Sequence, residues 1–138
     1  LRSSLERIFR IRNGSRDVPA VLDAIEQSCR AEGLAALALD MRLVAEEVLT
    51  NIGKYAHGNT ADQSVELRLS ASSGSVRMEF RDDGAPFNPL ETPAPDMKTP
   101  LPEREIGGFG VHLVKSLVDE AKYARDGNRN VLILAKSF

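Results

Sequence analysis

The stretch EIGGFGVHLVKSLVDE, Glu105–Glu120, combines three glycines with an amphipathic segment, and its role depends on the rest of the chain. Gly107, Gly108 and Gly110 stand before a segment with apolar residues at helical spacing, which predicts a helix from Val111 to about Glu120. Free backbone N–H groups at a helix start bind anions, and glycines let the backbone close on phosphate oxygens. The alternative is an ordinary loop that ends where a helix begins. The stretch alone does not decide between the two.

Two more helices are predicted upstream. The first has Asp17 as its cap, Pro19 in its first turn and Gly33 at its end. Its apolar stripe is Val21, Leu22, Ile25 and Cys29. The second runs from about Leu39 to Tyr55, and its stripe is Met41, Val44, Val48, Ile52 and Tyr55.

Strands are predicted where the apolar residues alternate. Val65–Ala71 and Val76–Asp82 have period two and flank SSG, so they form an antiparallel hairpin. VLILAKSF closes the chain as a strand, and weaker strand signals lie at Phe9–Ile11 and near Lys122. Because the helices can all lie on one face of such a sheet, we predict an α+β fold. Its architecture is a two-layer α/β sandwich with a mixed, mostly antiparallel sheet.

The segment from Asn88 to Ile106 differs from the rest because it holds five of the seven prolines and shows no period. A loop this long inside a compact domain is uncommon and is usually functional or disordered. The length of 138 residues fits a single domain, 1–138, with a core of its own.

Composition excludes several classes of function. The formal net charge is -2 and the basic residues are scattered, which argues against nucleic acid or an anionic membrane as a partner. The single cysteine, Cys29, has no internal disulfide partner and no metal-type spacing. Because the lone cysteine cannot form an internal disulfide, a reducing compartment is expected. No apolar run approaches membrane-spanning length, and a cytoplasmic location is predicted.

A carboxylate and an amide stand one turn apart on the second helix. Glu47 and Asn51 lie four residues apart, beside the apolar stripe, and Glu46 points elsewhere. An Asn oxygen is a hard ligand suited to Mg²⁺, and a carboxylate one turn away can act as a base. The plain alternative is a solvated helix face, which is common by chance.

A second cluster, RDDGAPFNP, follows the hairpin. Asp82 ends a strand, where its carboxylate can accept a hydrogen bond from an exocyclic amine such as that of adenine. Gly84 permits a close approach of the backbone to a flat ring. The same residues also suit an ordinary surface turn.

The order of these clusters resembles the Bergerat-fold ATP-binding superfamily of type II topoisomerases, 90-kilodalton heat-shock chaperones, histidine kinases and mismatch-repair proteins. EEVLTN…AH, DDGAPFNP, GGFGVHLVKSLVDE and GNRNVLILAK read most like the small bacterial anti-sigma factors that are serine/threonine protein kinases. The resemblance covers about residues 5–136. It implies ATP and Mg²⁺ as cofactors and an ATP lid over about 88–106.

The resemblance also assigns roles to residues. Glu47 would be the general base, Asn51 the Mg²⁺ ligand, Asp82 the acceptor for the adenine amine, and Gly84 part of the pocket floor. Gly108 and Gly110 would form the lid hinge and leave N–H groups near the phosphates, and Lys54 would reach a phosphate.

Three positions depart from the family pattern. Tyr55 stands where a histidine is usual, and His57 falls two residues later and reads as a helix-end residue. Asn130 stands where a threonine near adenine is common, which puts its role in doubt. Phe87 and Phe109 either line the pocket or pack in the core.

The expected function is an anti-sigma serine/threonine kinase that phosphorylates an anti-anti-sigma partner of the sulfate-transporter/anti-sigma-antagonist (STAS) type and sequesters a sigma factor, as a homodimer. The main alternative is a non-catalytic ATP-binding switch that sequesters a partner protein. A trimmed catalytic fragment of a histidine kinase and an interaction module with chance motifs are two others.

Overall fold

A computed structural model describes residues 5–57, 62–72, 74–91 and 107–138 of the chain. In order, the main elements are β1 (Leu5–Asn13), α1 (Gly14–Ala31), α2 (Ala35–Asn51), β2 (Asp62–Ser72), β3 (Ser75–Asp82), α3 (Gly107–Leu117), β4 (Glu120–Asp126) and β5 (Arg129–Ser137). A π-helical turn, Ile52–Ala56, follows α2 directly, and a 3-10 turn, Pro89–Glu91, follows β3. The predicted α+β class is confirmed.

The described strands form one sheet in the order β1-β2-β3-β5-β4. The predicted hairpin is β2–β3, and the signal near Lys122 is the edge strand β4. Each neighbouring pair among the described strands is antiparallel, so the sheet is antiparallel rather than mixed.

One face of the sheet is covered by the helices. On that face β2 and β3 contribute alternate residues with almost no exposure: Val65, Leu67, Leu69, Val76, Met78 and Phe80. They meet the buried stripes of α1 and α2, where the predicted residues from Val21 to Ile52 are also buried. Each such side chain contributes roughly 1.5–3 kcal/mol when it leaves water. The two-layer sandwich predicted from periodicity is confirmed.

Helix α1 begins earlier than predicted because its cap is Asn13, not Asp17. The Asn13 Oδ1 atom accepts a hydrogen bond from the backbone N–H of Arg16 at 3.1 Å. Asp17 instead reaches back, and its Oδ2 accepts from the N–H groups of Arg12 and Asn13, each at 2.9 Å. These bonds hold the pKa of Asp17 well below its usual range. The two side chains therefore satisfy reciprocal donors at the helix start.

Helices α2 and α3 also differ from their predicted bounds. Helix α2 covers Ala35–Asn51 rather than Leu39–Tyr55, since its last turn widens into the π-helical turn. Helix α3 covers Gly107–Leu117, so the three glycines lie inside its first turn rather than before it. Most of the expected lid, residues 92–106, lies outside the described residues. No helix in the described ranges is long and apolar enough to cross a membrane.

Candidate functional site

The last turns of α2 place Glu47 and Asn51 on one side of the helix. Asn51 is 2% exposed, although it is polar, and Glu47 is half-buried. Their neighbours Val48 and Ile52 are buried in the core and fix the rotation of the helix about its axis. Glu46 is exposed, as expected. The predicted pair thus lies at the rim of the core and not on a solvated face.

Helix α3 meets Glu47 at Gly110. A Cβ atom built on Gly110 would lie 1.1 Å from Glu47 Oε1 and 1.9 Å from its Cδ. The carboxylate therefore occupies the space that any side chain at position 110 would need. This contact joins two clusters that the sequence presented separately.

Burial raises the pKa of the Glu47 carboxyl, and the neighbouring charge of Glu46 raises it further. The ammonium group of Lys54 opposes this effect and lowers the pKa. No hydrogen bond between the Glu47 carboxylate and another described residue is found. A carboxylate that is partly desolvated and has no donor of its own is suited to accept a proton.

The π-helical turn connects α2 to the loop that follows β3. The backbone N–H of Ala85 donates to the carbonyl of Ala56 at 3.0 Å. A Cβ atom on Gly84 would lie 2.6 Å from the same carbonyl oxygen, which is backbone and cannot move aside. Position 84 therefore requires glycine because of this close approach. π-Helical turns often occur at functional sites.

Asp82 lies at the end of β3 and is 3% exposed. Its Oδ1 atom accepts from the backbone N–H of Gly84 at 2.9 Å and from Asn130 Nδ2 at 3.0 Å. Both bonds use one oxygen. Within the described residues no donor reaches the other oxygen, Oδ2, which is available to a ligand amine.

Asn130 connects β5 to this loop. Besides Asp82, its Nδ2 donates to the carbonyl of Ala85 at 2.8 Å, so both amide protons are used. Its Oδ1 accepts from the backbone N–H of Phe87 at 3.1 Å. Asn130 is 3% exposed, and its buried amide is fully paired.

Two side chains from β4 fix the orientation of that amide. The Tyr123 hydroxyl and the Arg125 Nη1 atom both donate to Asn130 Oδ1, Arg125 at 3.2 Å. Arg125 Nη1 also donates to the carbonyl of Gly84 at 2.9 Å. Because the oxygen faces these donors, the Asn130 Nδ2 group must face Asp82.

Aromatic residues border the loop as well. The rings of Tyr55 and Phe87 are 5.1 Å apart at 33°, and Lys54 Nζ lies 5.0 Å from the centre of the Tyr55 ring. His57 Nε2 lies 3.5 Å from Asp83 Oδ1 at the end of the π-helical turn. Phe87 packs against the core, as the second interpretation of it predicts. The side chain of Phe109 lies outside the described features.

The structure thus brings Glu47 to Gly110 and Asp82 to Gly84, and places Asn51 one turn beyond Glu47. Lys54 influences Glu47 by its charge, and Gly108 lies in the first turn of α3. Sequence reasoning missed the roles of Tyr123, Arg125 and the Ala56 carbonyl, since no motif marks them. The sequence marks Asn130 as a departure from the family pattern. Its hydrogen bonds to Asp82 and to the loop depend on the pairing of β5 with β3, which the sequence alone does not give.

Comparison with known proteins agrees with this arrangement. The model of a family described as the histidine kinase-like ATPase domain matches residues 11–136. The chain belongs to this family. The match includes every residue assigned to the candidate site, and it confirms the ATP-binding superfamily suggested by the motifs.

A curated relative gives a finer likeness. The chain is 27% identical over 100 residues to the serine/threonine-protein kinase BtrW of Bordetella bronchiseptica. The aligned region covers 72% of this chain and 70% of the relative. Together with the family match, this supports an ATP-binding, kinase-like domain.

Proposed function

We propose that this chain is an ATP- and Mg²⁺-dependent serine/threonine protein kinase that acts as an anti-sigma factor in a partner-switching system. The observation that carries the proposal is the half-buried Glu47 carboxylate, which has a raised pKa and lies against Gly110 at the start of α3. The relative of this chain, BtrW, is a serine/threonine-protein kinase, which supports the proposed specificity.

In this proposal Glu47 removes the proton from the attacking hydroxyl of the substrate. General bases of this kind contribute about 10²–10⁴-fold to the rate. The N–H groups of the first turn of α3, Gly107–Gly110, have no acceptor within the helix and donate to phosphate oxygens. Phosphoryl transfer needs positioning and charge stabilisation more than covalent chemistry.

Asn51 fits the expected metal site. Its amide oxygen is a hard ligand in a nearly buried position, one helical turn from Glu47. The described ranges hold no cluster of three or more His, Cys, Asp or Glu side chains suited to a metal ion. In this proposal the ATP phosphates and water complete the coordination, as is usual for Mg²⁺ in phosphoryl-transfer sites. When bound, Mg²⁺ neutralises charge on the phosphates.

On the strand side, Asp82 Oδ2 accepts from the exocyclic amine of adenine. Asn130 positions this carboxylate and does not contact the base, because both of its amide protons are already used. Gly84 keeps the loop close to the π-helical turn, and the ring of Phe87 borders the pocket. These contacts favour adenine over a base with a carbonyl at the same position.

The partners follow from the family resemblance. The phosphate acceptor is a serine or threonine of a STAS-type anti-anti-sigma protein, and the unphosphorylated acceptor releases the sigma factor. The proposal includes a homodimer, which light scattering on the purified chain would test.

The decisive experiment incubates the chain with γ-labelled ATP, Mg²⁺ and a co-encoded STAS-type protein. We expect label on a serine or threonine of that protein. Glu47→Gln should reduce the transfer rate at least about 100-fold with little change in ATP affinity. Glu46→Gln is the matched control, because this neighbour is exposed, and it should retain nearly full activity.

If ATP binds but no label is transferred, the kinase assignment is wrong and the non-catalytic switch takes its place. The switch also predicts that Glu47→Gln keeps full regulation of the partner. Failure to bind ATP with Mg²⁺ would contradict both.

A further inference from the structure

A pocket of about 320 Å³ is lined by four arginines and lies at the end of the sheet where β3 leads into the Asp82–Ala85 loop. It also reaches Ile11, Val65 and Asp82, which alternate with the arginine row and are buried on the helix-covered face. The Asp82 carboxylate bonds to Asn130 and Gly84 and belongs to the site described above. Apart from Asp82, none of the residues that line the pocket has a role in the proposed ATP chemistry.

Strand register places one row of charges across the pocket. Arg10 on β1 lies opposite Glu66 on β2, and Glu66 lies opposite Arg81 on β3. Directly paired residues point to the same face of a sheet, so these three side chains are neighbours. Glu66 Oε2 lies 3.5 Å from Arg10 Nη1, and its Oε1 accepts from Arg68 Nε at 2.9 Å. Glu66 is thus shared by Arg10 and Arg68, and Arg81 Nε donates to Glu79 Oε2 at 2.6 Å, so the arginines of this row already have carboxylate partners.

A second, looser row lies nearer to the loop; it is not a ladder of paired residues, because the register of β1 with β2 shifts between Ile11 and Asn13, at Arg12. Arg12 stands two residues after Arg10 on β1, and Arg129 stands two residues before the Val131 that pairs with Arg81. Both arginines are exposed. In the part of the chain that the structure describes, neither guanidinium forms a salt bridge. Asp83, the acidic residue of this row, lies 3.5 Å from the His57 ring.

The pocket is therefore locally basic, although the chain as a whole is slightly acidic. Four guanidinium groups line it with the three carboxylates of Glu66, Asp82 and Asp83, a formal excess of one positive charge, whereas the whole chain has a formal net charge of -2. Guanidinium forks match carboxylates in two parallel hydrogen bonds. We propose that this pocket binds an acidic segment of a protein partner through its aspartate or glutamate side chains.

Two features favour a peptide over nucleic acid. The pocket is at the small end of the usual range for ligand sites, and it suits one or two side chains better than a continuous backbone. Glu66 and Asp83 also divide the basic surface into separate arginines, an arrangement that suits isolated carboxylates better than the closely spaced phosphates of a nucleic-acid strand.

The test uses a fluorescent hexaglutamate peptide and the full chain. We expect salt-sensitive binding that a double charge reversal, Arg12→Glu with Arg129→Glu, weakens about tenfold or more. The matched control is Arg7→Glu with Lys122→Glu, two exposed cations outside the pocket, and it should bind within about twofold of the original chain. ATP affinity and thermal unfolding of each variant establish that it is folded.

The milder pair Arg12→Gln with Arg129→Gln should give an intermediate loss, which separates charge from misfolding. Equal weakening in the pocket variant and the control would overturn the proposal, as would equal binding of a hexaglutamine peptide. Tighter binding of a 20-nucleotide single strand, or full competition by millimolar inorganic phosphate, would also overturn it and assign the pocket to phosphate. Since the readout is peptide binding, the result is independent of kinase activity.

Discussion

The two sides of the site are built differently. On the strand side, Asp82, Gly84 and Asn130 are held by a closed set of hydrogen bonds between β3, β5 and the loop. On the helix side, no hydrogen bond from another described residue holds the side chains of Glu47 and Asn51. The side-chain oxygens and nitrogen of these two residues are not among the fully buried unpaired atoms of the described ranges, so they are accessible to solvent or to a ligand. In the proposed function, the fold already fixes the side chains of the strand side, whereas the side chains of Glu47 and Asn51 take their polar contacts from the ligand.

The largest expected effect is on the strand side. Asp82→Asn replaces an acceptor oxygen with an amide, so we expect ATP affinity to fall about 100-fold, as when a buried pair is left unsatisfied. Calorimetry with ATP and Mg²⁺ measures it. Asp83→Asn changes an exposed neighbour and should alter affinity less than about threefold. Comparable losses in the two variants would refute the assignment of the amine acceptor.

Two glycine substitutions contrast the sides directly. Gly84→Ala places a Cβ atom against a backbone carbonyl, so the loop must shift. Overpacking of this kind typically costs about 1–3 kcal/mol of unfolding free energy, and ATP affinity should fall with it. Gly110→Ala instead meets the movable end of Glu47. It should slow phosphoryl transfer about tenfold or more by displacing the base, with little loss of stability.

Denaturant unfolding and single-turnover kinetics on both variants make this comparison. If Gly110→Ala lowers stability as much as Gly84→Ala while transfer per folded molecule is unchanged, then Gly110 is a packing position. The idea that this glycine leaves room for the base would then be wrong.

The orientation of Asn130 gives a smaller effect. Tyr123→Phe removes one of the donors to Asn130 Oδ1 and leaves Arg125 and the Phe87 N–H in place. A single neutral hydrogen bond is worth about 0.5–1.5 kcal/mol, so ATP should bind roughly two- to tenfold more weakly. The ratio of ATP to GTP affinity should fall as well. Unchanged selectivity would show that Asn130 needs no help from Tyr123.

The pH dependence concerns the helix side. Because burial raises the pKa of Glu47, the acid limb of the rate profile should lie above the ordinary glutamate value of about 4.3. Lys54→Met removes a charge that lowers this pKa, so the limb should move to still higher pH. Measuring kcat from pH 4 to 8 tests both statements. A limb at or below the ordinary value would contradict them.

The sign of the stability effect follows from the same shift. With a raised pKa the folded chain binds more protons than the unfolded chain, so ionisation of Glu47 lowers stability as pH rises above the ordinary value. Glu47→Gln should therefore be at least as stable as the original chain at pH 7, and this advantage should shrink at pH 4. Thermal unfolding at the two values measures it. A loss of stability at pH 7 would give Glu47 a structural role.

Local patterns predicted the elements well. Period-two alternation located β2 and β3, and the helical stripes of α1 and α2 are the buried faces. The errors fell at boundaries. Asp17 was predicted as a cap, but Asn13 fills that role by accepting from the Arg16 N–H, whereas Asp17 reaches back to the N–H groups of Arg12 and Asn13. The turn after Asn51 is π-helical and its last carbonyl, that of Ala56, accepts from Ala85 in the loop after β3, a contact that no residue pattern indicates.

The sequence by itself determined the α+β class, the hairpin, the Glu47 and Asn51 pair on one helix, and the family. Spacing along one element is enough for these, because the element's own geometry sets which side chains share a face. Only the tertiary structure decided that Asn130 orients Asp82 from 48 residues away, that Gly110 makes room for Glu47, and that the arginines of three strands share one pocket. Such contacts depend on strand order, register and helix packing, which many distant contacts fix together.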